Sequence, residues 1–172
     1  MISSARLDLV SLGPEILESL VRGSATQAEE MLGVPLPEDW VREEEMLFAW
    51  RLKQIRDDPG SQPWLLRAIV VREPREFAGH FNFHAPPGDE DWVELGYSIQ
   101  PDLRRRGYAS EVAVHMMRWA RDLHGVQKFR ASVSPTNLAS LAMIDKLGFH
   151  RIGTQMDEID GLEIVFERSG AP

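Results

Sequence analysis

Between Leu65 and Gln100 three β-rich runs, residues 65–72, 76–84 and 92–100, are joined by connectors no longer than Glu73-Pro74-Arg75 and the turn containing Pro86-Pro87-Gly88-Asp89. Parallel neighbours need a crossover of about a dozen residues or more, so connectors of this length leave antiparallel hairpins and a meander. The flanks follow from periodicity. Residues 6–11 set Leu7 and Leu9 against polar neighbours, as a strand does, and Gly13-Pro14 opens a helix over 15–21. After the break at Pro35-Leu36-Pro37, residues 38–56 carry Trp40, Glu44, Leu47 and Trp50, with acids early and bases late, as a helix dipole prefers. Beyond the meander, residues 107–124 place Val112, Met116 and Ala120 four apart, with Ala113, Met117 and Leu123 on the adjoining face, a buried amphipathic helix closed by Gly125. A strand over 129–133, a helix over 137–147 and strands over 149–153 and 162–168 complete the chain. The expectation is an α/β (α+β) fold: one mixed, mostly antiparallel sheet flanked by helices, in a single domain over residues 1–172. No GxGxxG follows the first strand and strand and helix do not alternate regularly, which argues against a dinucleotide-binding fold.

Composition narrows the function. The longest aliphatic stretch is Ala68-Ile69-Val70-Val71, against the roughly 20 apolar residues a bilayer requires, and Met1-Ile2-Ser3-Ser4-Ala5-Arg6 is no export signal, so a cytoplasmic protein without a membrane partner is expected. There is no cysteine, which removes disulfides, thiolate nucleophiles and cysteine zinc sites. The formal net charge of -8 disfavours nucleic-acid binding by phosphate neutralisation. Within this acidic chain, residues 100–130 carry seven basic and three acidic side chains, an island suited to a small anion.

The island opens with Gln100-Pro101-Asp102-Leu103-Arg104-Arg105-Arg106-Gly107-Tyr108-Ala109, between a strand and a long helix. Gly107 lets a ligand approach the backbone and Ala109 keeps the first turn uncrowded, so the helix amides can point at a phosphate while the arginines add charge. Taken alone, the segment also suits a solvated basic turn. Downstream lie Ser134-Pro135-Thr136-Asn137-Leu138-Ala139-Ser140 and, after the helix, Lys146-Leu147-Gly148-Phe149. With these the chain resembles the GNAT superfamily of N-acetyltransferases, within it the RimJ/RimL-like branch that acetylates ribosomal-protein N-termini. Arg104, Gly107 and Ala109 meet the superfamily's acyl-CoA signature, and Asn137, Ser140, Lys146, Gly148 and Phe149 meet its Asn-x-x-Ser and Lys-x-Gly-Phe elements. The likeness begins at Arg6-Leu7-Asp8-Leu9 and is dense from Glu94 to Gly153.

The resemblance implies that the strands on either side of the 107–124 helix splay and that an acyl-CoA, acetyl-CoA above all, lies in the slot as the cosubstrate, with no metal. The backbone of Tyr97, Ser98 and Ile99 would bond pantetheine like an added strand, the amides from Arg105 and Arg106 through Gly107, Tyr108, Ala109 and Ser110 would hold the pyrophosphate beside Arg104, Asn137 would bond the pantetheine arm, and Lys146 would approach the phosphates. The acyl group would pass by direct attack to a primary amine, on a small molecule or a protein N-terminus, without a covalent enzyme intermediate. Glu94 is the candidate base and Ser140 the candidate acid or hydrogen-bond donor to sulfur. Many relatives use a late tyrosine as the acid, whereas this chain has only Tyr97 and Tyr108. Dimers are common in the branch, so a homodimer is expected. A noncatalytic acyl-CoA sensor or interaction module is the alternative.

The remaining candidates have plain readings. His80 and His84 lie four apart on one strand without a third ligand and read as ordinary surface or cleft residues. His115 and His124 read as solvated or partly packed, and Met116, Met117 and Trp119 as core. Trp40 and Trp50 fall on early helices where the superfamily builds its acceptor site, which makes an apolar acceptor pocket a candidate. Glu43-Glu44-Glu45 and Asp89-Glu90-Asp91 read as solvated faces that could also attract a cationic amine.

Overall fold

Short apolar strands at the start of the chain have to bury both faces, and helices fold onto them to do so. A computed structural model describes residues 1–159 and 161–171. The chain divides into two units, residues 1–82 with 97–108, and residues 83–96 with 109–172.

In the first unit β1 (Ile2–Ser3) and β2 (Leu7–Ser11) lead into α1 (Pro14–Val21), α2 (Ala25–Leu32), α3 (Glu38–Glu43) and α4 (Glu45–Asp57). Then come β3 (Arg67–Val71), β4 (Glu76–Phe83) and the end of β5 (Trp92–Ile99). β1, β2, β3 and β4 pair antiparallel in order, with Leu9 opposite Ile69 and Ala68 opposite His80. The β3–β4 hairpin is therefore as expected from its connector, and the Gln100 N–H donates to the Ala78 carbonyl at 2.9 Å to continue the meander. The helices bury Leu17, Leu20, Leu32, Trp40, Phe48 and Leu52 in one core with Ala68, Val70 and Phe77.

Two local features depart from the sequence reading. The helix expected over 38–56 is two helices broken at Glu44, whose φ and ψ of -98° and 11° are not helical. The break has a packing cause: residues eight apart on a straight helix are separated by about 12 Å along its axis, whereas the Trp40 and Phe48 rings meet at 5.0 Å. The second is α2, a helix the periodicity did not indicate, because only Ala28 and Leu32 of its eight residues are buried.

In the second unit the start of β5 pairs parallel with β6 (Lys128–Val133) from Trp92 opposite Lys128 to Glu94 opposite Arg130. β6 pairs antiparallel with β8 (Gly161–Ser169), and β8 with β7 (His150–Asp157). The His84 N–H donates to the Glu94 carbonyl at 2.9 Å. α5 (Tyr108–His124) buries Val112, Ala113, Met116, Met117 and Ala120 completely, and α6 (Leu138–Lys146) buries Ile144. Trp119 is half-buried, stacked on Phe83 at 6.4 Å. β7 runs four residues past the expected end, because its pairing with β8 continues to Asp157 opposite Gly161.

Candidate active site

The turn before α5 has the backbone of an anion cradle. A 3₁₀ turn at Pro101–Leu103 leads to Arg105 with φ +62° and Gly107 with φ +82°, two left-handed residues flanking Arg106. Such an alternation folds successive amides toward a common concavity, and the first amides of α5 follow directly. An added Cβ at Gly107 would meet nothing closer than Arg6 Nη2 at 3.5 Å, so the glycine answers to its dihedral rather than to crowding.

The arginines divide their labour. Arg104 donates through Nε to the Ile99 carbonyl at 2.9 Å and Arg106 through Nη2 to the Asp102 carbonyl at 3.3 Å. Arg6, from the loop before β2, donates to the Arg106 carbonyl at 3.0 Å and lies 4.7 Å over the ring of Tyr108, which is itself buried. Arg6 and Tyr108, with Ala5, Val71, Arg72 and Glu73, line a cavity of about 490 Å³. Along residues 97–99 the carbonyl of Ser98 is turned toward Gly79 of β4, where an added Cβ would fall 2.0 Å from it. Strand alternation therefore turns Tyr97 and Ile99 to the other edge. Of the three residues expected to present backbone to pantetheine, Tyr97 and Ile99 lie on that edge and Ser98 faces β4, and Arg104 already holds the Ile99 carbonyl.

The second unit gathers its polar groups around Glu94. Its Oε1 accepts from the Ser132 hydroxyl at 2.5 Å. Gln155 Nε2 donates to Ser132 Oγ at 3.1 Å and to Glu163 Oε2 at 2.9 Å, and His84 Nδ1 lies 3.8 Å from Glu94 Oε2. The donors run one way: Gln155 occupies Ser132 as an acceptor, so the hydroxyl proton goes to Glu94. Side-chain exposure of Glu94 is 15%, which leaves a carboxylate positioned yet reachable. Ser132, Gln155 and Glu163 escape sequence reasoning because they come from β6, β7 and β8 and share no motif.

Asn137 caps α6. Its Oδ1 accepts the Ser140 N–H at 3.1 Å, which commits the oxygen to the helix and leaves the amide nitrogen as its donor. Ser140 is half-exposed on the first turn, and among the described residues its hydroxyl is not part of the hydrogen-bonded group around Glu94. Lys146 is exposed at the opposite end of α6 from Asn137, about 13 Å along the axis. Ala109 and Ser110 lie half-buried in the first turn of α5, while Arg104, Arg105 and Arg106 are exposed.

His80 is a correction. It is 6% exposed, accepting the Trp40 indole N–H on Nδ1 at 3.0 Å, rather than a surface or cleft residue. Burial, then the charge of Arg51, lowers its pKa to about 4. Neighbouring Glu44 is half-buried, its carboxyl raised by burial and then by Glu43, so the Glu43-Glu44-Glu45 run is not wholly a solvated face. Trp40 is core and Trp50 is exposed beneath the Arg51 guanidinium, so these two tryptophans do not form one apolar pocket. Among the described residues no group of three or more His, Asp or Glu could hold a metal. No helix among them is long and apolar enough to cross a membrane.

Comparison with known proteins bears on these features. Residues 6–150 match the sequence model of the acetyltransferase (GNAT) domain. The uncharacterized N-acetyltransferase YjdG of Bacillus subtilis is 30% identical over 90 residues, 52% of each chain. The chain spans about half the length of the Bacillus subtilis relatives it matches. Among solved structures, the ribosomal-protein-S5-alanine acetyltransferase of Vibrio fischeri superposes with a TM-score of 0.66 at 10% identity, covering 98% of this chain and 95% of that one. The Microcin C7 self-immunity acetyltransferase MccE, solved with acetyl-CoA and AMP, gives 0.66 at 13% identity over 96% and 93%. Identities this low speak for the fold, a mixed and mostly antiparallel sheet with flanking helices, and the domain match extends through both units. The chain belongs to the GNAT acetyltransferase domain family.

Proposed function

We propose that this protein transfers the acetyl group of acetyl-CoA to a primary amine by direct attack, in the cytoplasm, and that it acts as one domain. The observation that carries the reading is the pair of left-handed residues around Arg106 at the head of α5, a backbone arrangement suited to the pyrophosphate of CoA. Amides from Arg105 through Ser110 would hold that group, with Arg104 fixing the turn. Tyr97 and Ile99 would supply backbone to the pantetheine arm, and the Asn137 amide nitrogen would donate to one of its carbonyls. Lys146 would serve only the outer part of the ligand.

Glu94 takes the proton from the incoming ammonium. The nitrogen lone pair then attacks the thioester carbonyl, the carbon–sulfur bond breaks, the proton still in excess on nitrogen passes to the departing thiolate, and Ser140 stabilises that sulfur by hydrogen bonding, so that amide and free thiol result. Ser132 supports this role by holding one carboxylate oxygen, which leaves the other for the amine. Family neighbours named for ribosomal-protein substrates make protein N-termini the first acceptors to try, followed by polyamines and amino acids.

Calorimetric titration with acetyl-CoA, desulfo-CoA and succinyl-CoA, without acceptor, tests the first half. About micromolar binding of acetyl-CoA, lost in Gly107→Glu, is expected. A folded protein that binds no CoA species, or a Gly107→Glu variant that binds as its parent does, overturns the reading. Thiol release over a panel of N-terminal peptides and small amines tests the second half. Binding without turnover of any amine would leave a noncatalytic acyl-CoA sensor in its place.

A further inference from the structure

Where β5 and β6 run side by side, burial alternates residue by residue. Val93 and Leu95 of β5 and Phe129, Ala131 and Val133 of β6 are at most 5% exposed, while Trp92, Glu94, Arg130 and Ser132 are half-buried on the opposite face. The register sets Arg130 directly across from Glu94. Neighbouring strands lie about 4.8 Å apart, and opposite charges at such a spacing ordinarily pair. These two do not. Glu94 turns to Ser132 and His84, and Arg130 turns to Glu167, whose Oε2 accepts from Arg130 Nε at 2.9 Å. The guanidinium lies 4.1 Å over the ring of Trp92, and that ring is held in turn by its indole N–H, which donates to Glu90 at 2.8 Å. Among the described residues only Nε of Arg130 is hydrogen-bonded, so both Nη groups keep their protons for a further acceptor.

A guanidinium braced at one edge by a carboxylate and on one face by an indole is preorganised, and its remaining fork matches a second carboxylate. Trp92 and Glu94 are two residues apart, about 6.6 Å along β5, so a group on Arg130 and a group on Glu94 can belong to one compact molecule. We propose that Arg130 sets the acceptor specificity of this site by binding the carboxylate of a free amino acid whose amine meets Glu94. The inference rests on the transfer reading above and narrows its acceptor, placing amino acids ahead of protein N-termini and polyamines. The dipolar form matters. Glu94 and Glu167 repel a carboxylate that comes alone, and Arg130 repels an ammonium that comes alone, whereas an amino acid brings each charge to its opposite. In a polypeptide the carboxyl of the first residue is an amide and offers Arg130 no charge.

Calorimetric titration of the twenty L-amino acids and their carboxamides, with desulfo-CoA present, tests the proposal beside thiol release with acetyl-CoA. At least one amino acid should bind about 10–100-fold more tightly than its carboxamide, the range of one charged hydrogen-bonded contact, and be acetylated with a kcat/KM higher by a similar factor. Arg130→Gln should bring that ratio close to one by weakening the amino acid, and Arg130→Lys, which keeps the charge and loses the fork, should give an intermediate ratio. Lys128→Gln removes an exposed positive charge from the same strand and should keep the ratio, which separates a contact at Arg130 from a diffuse field. Carboxamides acetylated as well as amino acids overturn the proposal and leave the transfer reading standing. So does a preference for the amino acid that survives in folded Arg130→Gln. An amino acid that binds through Arg130 and is never acetylated upholds the site and overturns the transfer reading, and no binding of any amino acid overturns the proposal outright.

Discussion

Replacing Gly79 with alanine tests how closely β4 and β5 approach. The added methyl would sit 2.0 Å from the Ser98 carbonyl oxygen, 2.9 Å from its carbonyl carbon and 3.0 Å from Ile99 Cα. Non-bonded heavy atoms rest about 3.5 Å apart, so the strands would have to part by about 1.5 Å. All three obstacles are backbone atoms, which cannot swing aside as the end of a side chain can. The separation would break the Gln100 N–H to Ala78 carbonyl bond. Gly79 also lies at φ +136°, at the irregular step of the β3–β4 register, where a Cβ adds about 1–3 kcal/mol of strain. Overpacking adds about 1–3 kcal/mol more. The sum is about 4 kcal/mol, against total stabilities of about 5–15 kcal/mol, and for a chain of this length lowers the melting temperature by roughly 8–16 °C. Thermal unfolding of Gly79→Ala beside Gly88→Ala is the assay. Gly88 has nothing within 4 Å of an added Cβ, so that variant should stay within about 0.5 kcal/mol of the parent. If Gly79→Ala melts within about 2 °C of the parent, the close approach is not there and the reasoning fails. Surviving folded protein should bind acetyl-CoA about tenfold more weakly, because residues 97–99 move with the strand.

Glu94→Gln should lower turnover by about 10²–10⁴-fold without changing the affinity for acetyl-CoA, and Ser132→Ala by a smaller factor; steady-state kinetics beside calorimetry separates the two effects. Asn137→Asp retains the oxygen that caps α6 but loses the amide donor, whereas Asn137→Ala loses both. Both variants should therefore bind acetyl-CoA more weakly, while the alanine variant alone loses about 1 kcal/mol of stability in thermal unfolding. His80 makes stability depend on acid. Its folded pKa, about 4, is below the 6.5 of the free side chain, so the unfolded chain takes up the proton first and the stabilisation, complete above pH 6.5, is lost as pH falls toward 4. Denaturant titrations of the parent should lose roughly 3 kcal/mol across that window relative to His80→Gln, which keeps an acceptor for Trp40 and has no titrating ring.

What could be read in the sequence was what repeats locally. The 107–124 helix and the hairpin after Arg72 announce themselves through spacing and connector length, and the cradle through one short segment. His80 shows why the reading stops. Without a third ligand it reads as an ordinary surface or cleft residue, but β4 is buried on both faces from Phe77 to Phe83, which nothing in its local spacing announces. The kink at Glu44 arises from a contact between Trp40 and Phe48 that no helical period contains. The group around Glu94 draws on residues 94, 132, 155 and 163, so its members become neighbours only once the sheet is assembled.

The tethering of Arg6 and Arg104 bears on how this site responds to salt. Four arginines near a polyanion suggest binding that collapses as ionic strength rises. Three of them, however, hold the carbonyls of Arg106, Ile99 and Asp102, and so shape the loop at short range. The molecule as a whole is acidic, with a net charge of -8, and at low ionic strength, where the Debye length reaches about 30 Å at 0.01 M, it repels a polyanion from a distance. Added salt thus screens a long-range repulsion as well as a short-range attraction. Capture of the ligand should then vary gently with ionic strength, in keeping with a site that selects by backbone shape more than by gathering charge.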